Sequence, residues 1–275
     1  MNLPKDAISI LRCAGEQGDD SLDLAEIALA LAALEYPQAS LTSYLDHLAV
    51  LVEQIRAEGP VSCLDDRLRV LRRVLVVQNK YHGDEDSYDD PHGANLMRVI
   101  DRRRGLPVAL GIIYLHVAEK LGWPMTGLNF PGSFLVRLSA ADGRAILDPF
   151  RAGKTCSPED LQELLPAKGQ DVLEQTPRYG APVSKRDVLL RLQNNIKRRQ
   201  LGLDNLDAAI NTLQGMVLFA PHRHEVWREL GYLQAERGHL RSAITALEVV
   251  CDLTGDVMQA QQTETVLGQL RRQLN

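Results

Sequence analysis

The feature that most constrains the fold of this 275-residue chain lies between residues 102 and 153. A pattern typical of a helix begins there at Pro107, apolar runs typical of strands follow, and the segment closes on Asp148-Pro149. Proline suits the first position of a helix, because the N–H that it lacks would have no partner there. The spacing predicts one helix and three strands, over 108–121, 125–130, 133–138 and 145–147.

This order of elements is the skeleton of an acyl-transfer site built on a nucleophilic cysteine. In such a site the cysteine lies in the first turn of a helix, where unpaired N–H groups and the helix dipole stabilise a thiolate. A histidine on a later strand holds the proton, and an aspartate on the next strand orients that histidine. The corresponding positions hold Ala109, Ser133 and Asp148. Alanine has no nucleophilic atom and serine is no base near neutral pH, so we expect a degenerate site with no catalytic residues.

Three runs carry a family resemblance: RRGLPVALGIIYLHVAEKLGWP, NFPGSFLVRL and ILDPF. They resemble the transglutaminase-like domain of the bacterial SirB-type family, whose members carry tetratricopeptide repeats after that domain. Many members have Ser or Cys at the position of Ala109 and His at the position of Ser133, whereas the Asp-Pro-Phe of 148–150 matches. The resemblance covers nearly the whole chain. It implies a papain-like fold with a small antiparallel sheet, and a regulatory or scaffold role rather than a known reaction.

The first hundred residues are predicted to be helical. Asp20 or Ser21 is expected to cap a helix that ends at Pro37. Further helices are predicted over 42–58, 64–77 and 95–103. The run 82–93 is polar and contains Gly and Pro, which predicts a loop. Its histidines and carboxylates lack the spacing of a calcium-binding loop, so we expect an exposed acidic loop and no metal site.

The last third of the chain has a helical pattern that repeats. Ala209 recurs as Ala243, a separation of 34 residues, which is the period of the tetratricopeptide helical hairpin. Gly231 and Ala243 are small enough for the two helices of a hairpin to approach closely, and Trp227 fills the groove between them. Two repeats are fewer than a stable solenoid requires. A final helix over 258–274 is therefore expected to complete the core.

These patterns predict an α+β fold class that is predominantly helical. A transglutaminase-like domain is predicted over 1–180, with a helical lead-in over 1–104 and a core over 105–153. Tetratricopeptide-like α-helical hairpins are predicted over 187–275. Composition agrees with this interpretation, because Leu and Ala dominate the apolar residues and aromatics make up only 5% of the chain.

Charge and hydropathy limit the partners. A net charge of -5 gives no basis for binding nucleic-acid phosphates. No apolar run approaches the roughly 18 residues that a membrane helix requires, and the N-terminus lacks the pattern of a secretory signal. The four cysteines are far apart, as is usual for reduced cytosolic thiols. We therefore expect a cytoplasmic protein without a membrane, nucleic-acid or cofactor partner.

Two residues near the predicted site have alternative interpretations. If Asp142-Gly143 forms a two-residue hairpin turn, Arg137 lies opposite Asp148, and a cross-strand ion pair becomes a structural role for that carboxylate. Cys156 is another thiol near the site, and Lys154 is a residue able to lower its pKa. The sequence places no histidine to assist Cys156, so a catalytic role for it is not expected.

The leading functional hypothesis is a non-catalytic protein-interaction or regulatory scaffold of the bacterial cytosol. Its partner would be a protein or peptide of unknown identity, bound by a degenerate cleft and a repeat surface. The candidate partner-binding residues are Trp227, Tyr232, Arg198 and Arg199. Two alternatives remain open: a cryptic hydrolase or acyltransferase that uses Asp148 with another residue, and repeats that only complete a shared core.

Overall fold

The computed structural model describes residues 5–85, 90–130, 133–164 and 180–274. It has the predicted α+β, predominantly helical composition. Contacts between Cα atoms divide the described chain into two compact units. The sheet unit comprises the described residues between 19 and 192, and the helical unit comprises 5–18 and 193–274.

The structure contains twelve helices and six strands within these described ranges. The helices are α1 (Lys5–Glu16), α2 (Leu24–Glu35), α3 (Leu41–Arg56), α4 (Leu64–Leu71), α5 (Leu96–Arg102), α6 (Pro107–Lys120), α7 (Pro158–Glu163), α8 (Lys185–Gly202), α9 (Leu206–Phe219), α10 (His224–Glu236), α11 (Leu240–Leu253) and α12 (Val257–Leu274). The strands are β1 (His82–Gly83), β2 (Arg104–Gly105), β3 (Met125–Asn129), β4 (Phe134–Ala140), β5 (Gly143–Asp148) and β6 (Lys154–Thr155). None of the helices within the described ranges combines the length and apolar character that a membrane crossing requires.

Helix α6 and the sheet form the centre of the sheet unit. Strands β3, β4, β5 and β6 make a four-stranded antiparallel sheet in that order. Every residue of α6 from Val108 to Ala118 is buried. At Gly111 a Cβ atom would lie 2.4 Å from the ring of Phe134, so only glycine permits this approach of α6 to β4. The predicted helix over 108–121 and the three predicted strands are confirmed, with ends shifted by up to two residues.

The hairpin between β4 and β5 differs from the prediction by one residue. Ala140 pairs with Gly143, so the turn is Ala141-Asp142 rather than Asp142-Gly143. Arg137 consequently lies opposite Ile146, and the predicted ion pair between Arg137 and Asp148 is wrong. The physical reason lies in Asp142, whose two carboxylate oxygens accept hydrogen bonds from the backbone N–H of Leu64 at 3.0 and 3.1 Å. This contact uses Asp142 to cap the start of α4.

The N-terminal helices also show local corrections. The cap of α2 is Asp23 rather than Asp20 or Ser21, because its carboxylate accepts the N–H groups of Ala25 and Glu26 at 3.1 Å. Residues Asp19–Ser21 instead form a 3-10 turn.

Two predicted segments have a different backbone from the one expected. The predicted helix 64–77 changes from α-helical to π-helical geometry over Arg72–Gln78. The predicted loop 82–93 contains β1, which pairs in parallel with β2, and a 3-10 turn over Pro91–Ala94. Residues 86–89 of that loop lie outside the described chain.

Helix α1 belongs to the helical unit, where it packs against α9. Gly15 makes this approach possible, since a Cβ atom there would lie 2.4 Å from the carbonyl oxygen of Leu218. The predicted domains, 1–180 and 187–275, group α1 with the residues that follow it, whereas its contacts group it with the C-terminal helices. The domain boundaries therefore stay a prediction, and part of the predicted connection between them, 165–179, is outside the described residues.

The helical unit is built from consecutive helices that pack side by side from α9 to α12. Ala209 and Ala243, which are 34 residues apart, are both fully buried, and so are Leu213 and Leu247. The predicted final helix over 258–274 is confirmed as α12. Equal burial at equivalent positions agrees with a 34-residue period, while the assignment to the tetratricopeptide class stays a prediction.

Gly231 of α10 provides a test of this packing. A Cβ atom at Gly231 would lie 2.7 Å from Cγ of the fully buried Leu247 on α11. We expect Gly231→Ala to lower the free energy of unfolding by about 1–2 kcal/mol, because the overpacking cost exceeds the helix-propensity gain of alanine. The measurement is a urea titration followed by circular dichroism.

Gly268→Ala in α12 is the matched control. No atom lies within 4 Å of a Cβ at Gly268, so this variant should gain about 0.5–1 kcal/mol from helix propensity alone. Equal stabilisation of both variants would contradict the close α10–α11 contact.

Candidate functional site

Ala109 occupies the helix position that holds the nucleophile in a cysteine acyl-transfer site. It lies two residues after Pro107, in the first turn of α6, and is fully buried. The N-cap residue, Leu106, provides no side-chain hydrogen bond to this turn. The Ala109 methyl group therefore packs within the interior and offers no reactive atom.

Ser133 lies directly before β4 and is 9% exposed. Its backbone carbonyl accepts a hydrogen bond from the guanidinium of Arg191, which also donates to the carbonyl of Phe130 at 3.1 Å. The same guanidinium stacks on the ring of Phe134, 5.5 Å from its centroid. Residues 131 and 132, which precede Ser133 in the predicted motif, are outside the described chain. The observed contacts of Ser133 therefore position its backbone rather than activate its hydroxyl.

Asp148 ends β5 and is 2% exposed. Its Oδ1 accepts hydrogen bonds from the N–H of Phe150 at 2.9 Å and of Arg151 at 3.3 Å. Burial raises the pKa of this carboxyl above its ordinary value, although those N–H groups and the charge of Arg151 act in the opposite direction. Nε of Arg151 lies 3.9 Å from Oδ2. The carboxylate thus closes the Asp-Pro-Phe-Arg turn on itself.

The sheet unit contains four histidines, and the side chain of each contacts a residue other than Asp148. These contacts are His47 with Tyr81 at 2.9 Å, His82 with the carbonyl of Gly83 at 2.7 Å, His92 with Asp90 at 2.7 Å, and His116 with Asp23 at 3.9 Å. Among the described residues, Asp148 therefore has backbone N–H groups and Arg151 as partners instead of an imidazole.

Cys156 is not activated by its neighbours. Burial, followed by the charges of Asp148 and Asp160, raises the pKa of its thiol to about 11. Nζ of Lys154 lies 2.7 Å from Oδ1 of Asp160, a carboxylate that offsets its charge. Cys156 packs against the apolar cluster around Phe130. The charge of Lys154 lowers the pKa of the thiol as expected, but burial and the two carboxylates outweigh it, so the net shift is upward.

Two features of the site were missed from the sequence. The hydroxyl of Tyr114, on α6, is buried and has no hydrogen-bond partner among the described residues. Burial and the charge of Asp148 raise its pKa. Strand β1 also supports the Asp148 turn, because the N–H of Gly83 donates to the carbonyl of Phe150 at 2.8 Å. For Tyr114 the sequence offered one cue, a tyrosine within the predominantly apolar buried run of α6.

The four candidate partner-binding residues have different surroundings in the structure. Trp227 is half-buried, packs against the core of the helical unit, and donates from Nε1 to the carbonyl of Pro221 at 2.8 Å. Tyr232 is 42% exposed and lines a surface pocket of about 470 Å³. Arg198 is exposed, and Arg199 donates to the carbonyl of Asn195 at 3.0 Å. Of these four residues, Tyr232 alone lines that pocket.

Comparisons with known proteins place this geometry in context. Residues 42–194 match the transglutaminase-like superfamily. A UPF0162 protein of Xylella fastidiosa (strain Temecula1) is 31% identical over 234 residues, which cover 84% of this chain and 83% of the relative. The UPF0162 protein of Pseudomonas aeruginosa is 30% identical, with 80% and 83% covered. Human F-box only protein 21 is 30% identical over 137 residues, which cover 47% of this chain and 21% of that protein.

A solved structure is also similar at a lower level. A crystal structure of menin, which reveals its binding site for the Mixed Lineage Leukemia protein, aligns with a TM-score of 0.47 at 10% sequence identity. The alignment covers 95% of this chain and 73% of the menin chain. A likeness at this level carries no argument about fold or function.

The structural role of Asp148 can be tested by two substitutions. Asp148→Ala leaves the N–H groups of Phe150 and Arg151 without their acceptor, and we expect it to cost about 1–3 kcal/mol of unfolding free energy at neutral pH. Asp148→Asn keeps an oxygen at the Oδ1 position, so we expect a loss below about 1 kcal/mol. Urea unfolding of both variants provides the measurement. Equal losses would show that the turn does not depend on this acceptor.

Proposed function

The chain belongs to the transglutaminase-like superfamily, and on that premise we propose that it is a non-catalytic interaction or regulatory protein. The observation that carries this proposal is the use of the Asp148 carboxylate to close its own turn. Ala109 and Ser133 supply no thiol and no imidazole at the two other positions. The narrower assignment to the SirB-type family and a location in the bacterial cytosol stay predictions.

The absence of a thiol at Ala109 matters chemically. Acyl transfer by this class of fold requires a nucleophile that attacks a carbonyl and a base that holds its proton. At Ala109 the nucleophile is replaced by a buried methyl group. Asp148, without an imidazole to orient, retains only the part of its role that stabilises the local backbone. These substitutions favour a protein that has kept the fold for binding.

The partner surface that we propose lies on the helical unit. Tyr232 is an exposed aromatic residue beside Arg228 and Glu229, and these residues line one pocket between α10 and α12. An exposed tyrosine can anchor a peptide with little loss of side-chain entropy, and it also provides a hydroxyl for hydrogen bonding. Neighbouring charges of both signs would orient a polar peptide. Trp227 is better explained as a packing residue, because its indole N–H already has a partner within the unit.

A second function, a cryptic hydrolase or acyltransferase, is favoured by one observation. Asp148 has a raised pKa, and the unpaired hydroxyl of Tyr114 is close enough for the charge of Asp148 to raise the tyrosine pKa as well. Shifted ionisation of two neighbouring groups is common at active sites. In this alternative, protonated Asp148 is a general acid.

Turnover assays distinguish the two functions. We expect purified wild-type protein to show no turnover of glutamine acyl-donor, ester and peptide substrates above the rate of a buffer blank. Asp148→Asn should give the same background, because it keeps the turn but cannot transfer a proton. Wild-type turnover that falls at least tenfold in Asp148→Asn would refute the non-catalytic proposal and establish the alternative.

The partner surface has a separate test. A protein captured from cell extract by the intact chain should be lost with Tyr232→Ala and retained with Leu203→Ala. Leu203 is also an exposed large apolar residue, but it does not line the pocket. We expect at least a tenfold drop in recovered partner for Tyr232→Ala, since central aromatic anchors contribute about 2 kcal/mol or more to binding. Equal recovery with both variants would contradict the proposed surface.

A further inference from the structure

A strongly basic groove lies in the sheet unit, between the π-helical segment Arg72–Gln78 and the turn that joins β5 to β6. Its volume is about 580 Å³. Five of its lining residues are cationic, and none of its described lining residues is acidic: Arg69, Arg72, Arg73, Arg151 and Lys154 carry the positive charge. This concentration of charge occurs in a chain whose net charge is -5. We call this pocket the basic groove.

The helical side of the basic groove concentrates charge at a structural cost. Arg69, Arg72 and Arg73 are spaced so that three cations share one face of the helix formed by α4 and its π-helical continuation. Like charges at this spacing repel one another and destabilise a helix. The backbone also changes geometry at Arg72, and π-helical turns inside helices are frequent at functional sites.

The cations of the basic groove differ in how they are neutralised. Arg69 lies 2.6 Å from Asp66, Arg73 lies 2.9 Å from Glu58, and Lys154 lies 2.7 Å from Asp160. The side chain of Arg72 makes no hydrogen bond or ion pair with any described residue, although its backbone N–H donates to the carbonyls of Leu68 and Arg69. The guanidinium of Arg151 approaches only Asp148, at 3.9 Å, which is beyond hydrogen-bond distance. Two guanidinium groups on opposite sides of the basic groove therefore have unused donors.

The β5–β6 turn adds a second unusual feature. Ala152 and Gly153 both have left-handed backbones, with φ of 53° and 66°. This conformation is unfavourable for alanine. A Cβ atom at Gly153 would lie 2.6 Å from the hydroxyl of Tyr114, which is the buried hydroxyl without a partner. A buried unpaired donor thus lies directly behind the backbone that lines the basic groove.

We propose that the basic groove binds a small soluble phosphate compound that carries two or more negative charges. Arg72 and Arg151 donate to its phosphate oxygens, while the three cations that already have carboxylate partners line the same pocket. The planar guanidinium fork matches the geometry of phosphate, and such charge-assisted bonds are strong. The volume of the basic groove falls within the range of small-molecule sites, about 300–1,000 Å³. This inference does not depend on the partner surface of the helical unit.

Isothermal titration calorimetry of the full chain tests the proposal, with pyrophosphate and inorganic phosphate as probes at about 0.15 M salt. We expect saturable binding of pyrophosphate that is tighter than that of phosphate. Arg72→Gln and Arg151→Gln should each weaken pyrophosphate binding by roughly tenfold or more, because each removes charge-assisted hydrogen bonds. Both residues are exposed, so the variants should retain the circular dichroism spectrum of the wild type.

Arg144→Gln is the matched control. Arg144 is an exposed arginine of β5 that has no ion pair among the described residues and does not line the basic groove. It should change the affinity for pyrophosphate by less than about twofold. Three results would overturn the proposal: no saturable binding of pyrophosphate, equal weakening by all three variants, or binding of a phosphoserine peptide without binding of pyrophosphate. The last result would assign the basic groove to a protein ligand.

Discussion

The packing of α6 against β4 is the contact on which the sheet unit depends. Gly111 allows the ring of Phe134 to approach the helix axis, and the helix is buried along its length from Val108 to Ala118. Because side chains on α6 are held by this packing, the positions of Ala109 and Tyr114 follow from it. The same interface fixes β4, and β4 aligns β5 and therefore Asp148. A single helix–sheet contact thus sets the geometry of the whole candidate site.

Asp148 has a structural role in this chain that does not require catalysis. In the thiol enzymes that this arrangement resembles, an aspartate at this point orients a histidine. Here its carboxylate accepts two N–H groups of the following turn. That turn positions Arg151 and Gly153 at the edge of the basic groove. These hydrogen bonds account for a buried aspartate at this point, so its presence alone is no evidence for catalysis.

The β4–β5 hairpin and the N-terminal helix show which features of the fold local sequence patterns do not determine. Asp-Gly is a favourable pair for a two-residue turn. Asp142 instead accepts a hydrogen bond from the first residue of α4, Leu64, which lies far before it in the sequence. Helix α1 adjoins the sheet unit in sequence, although Gly15 packs it against α9 at the other end of the chain. Both outcomes depend on contacts between residues far apart in sequence, which local propensity does not contain.

The sequence by itself determined the order of the elements, the helix that begins at Pro107, the strands that follow it, and the absence of a thiol and an imidazole at Ala109 and Ser133. These properties follow from residue identity and short-range periodicity. The tertiary structure decided the partners of Asp148, the raised pKa of Cys156, and the convergence of Arg72 with Arg151. Burial and charge proximity arise only when distant segments meet, and they determine which side chains remain free to bind a ligand.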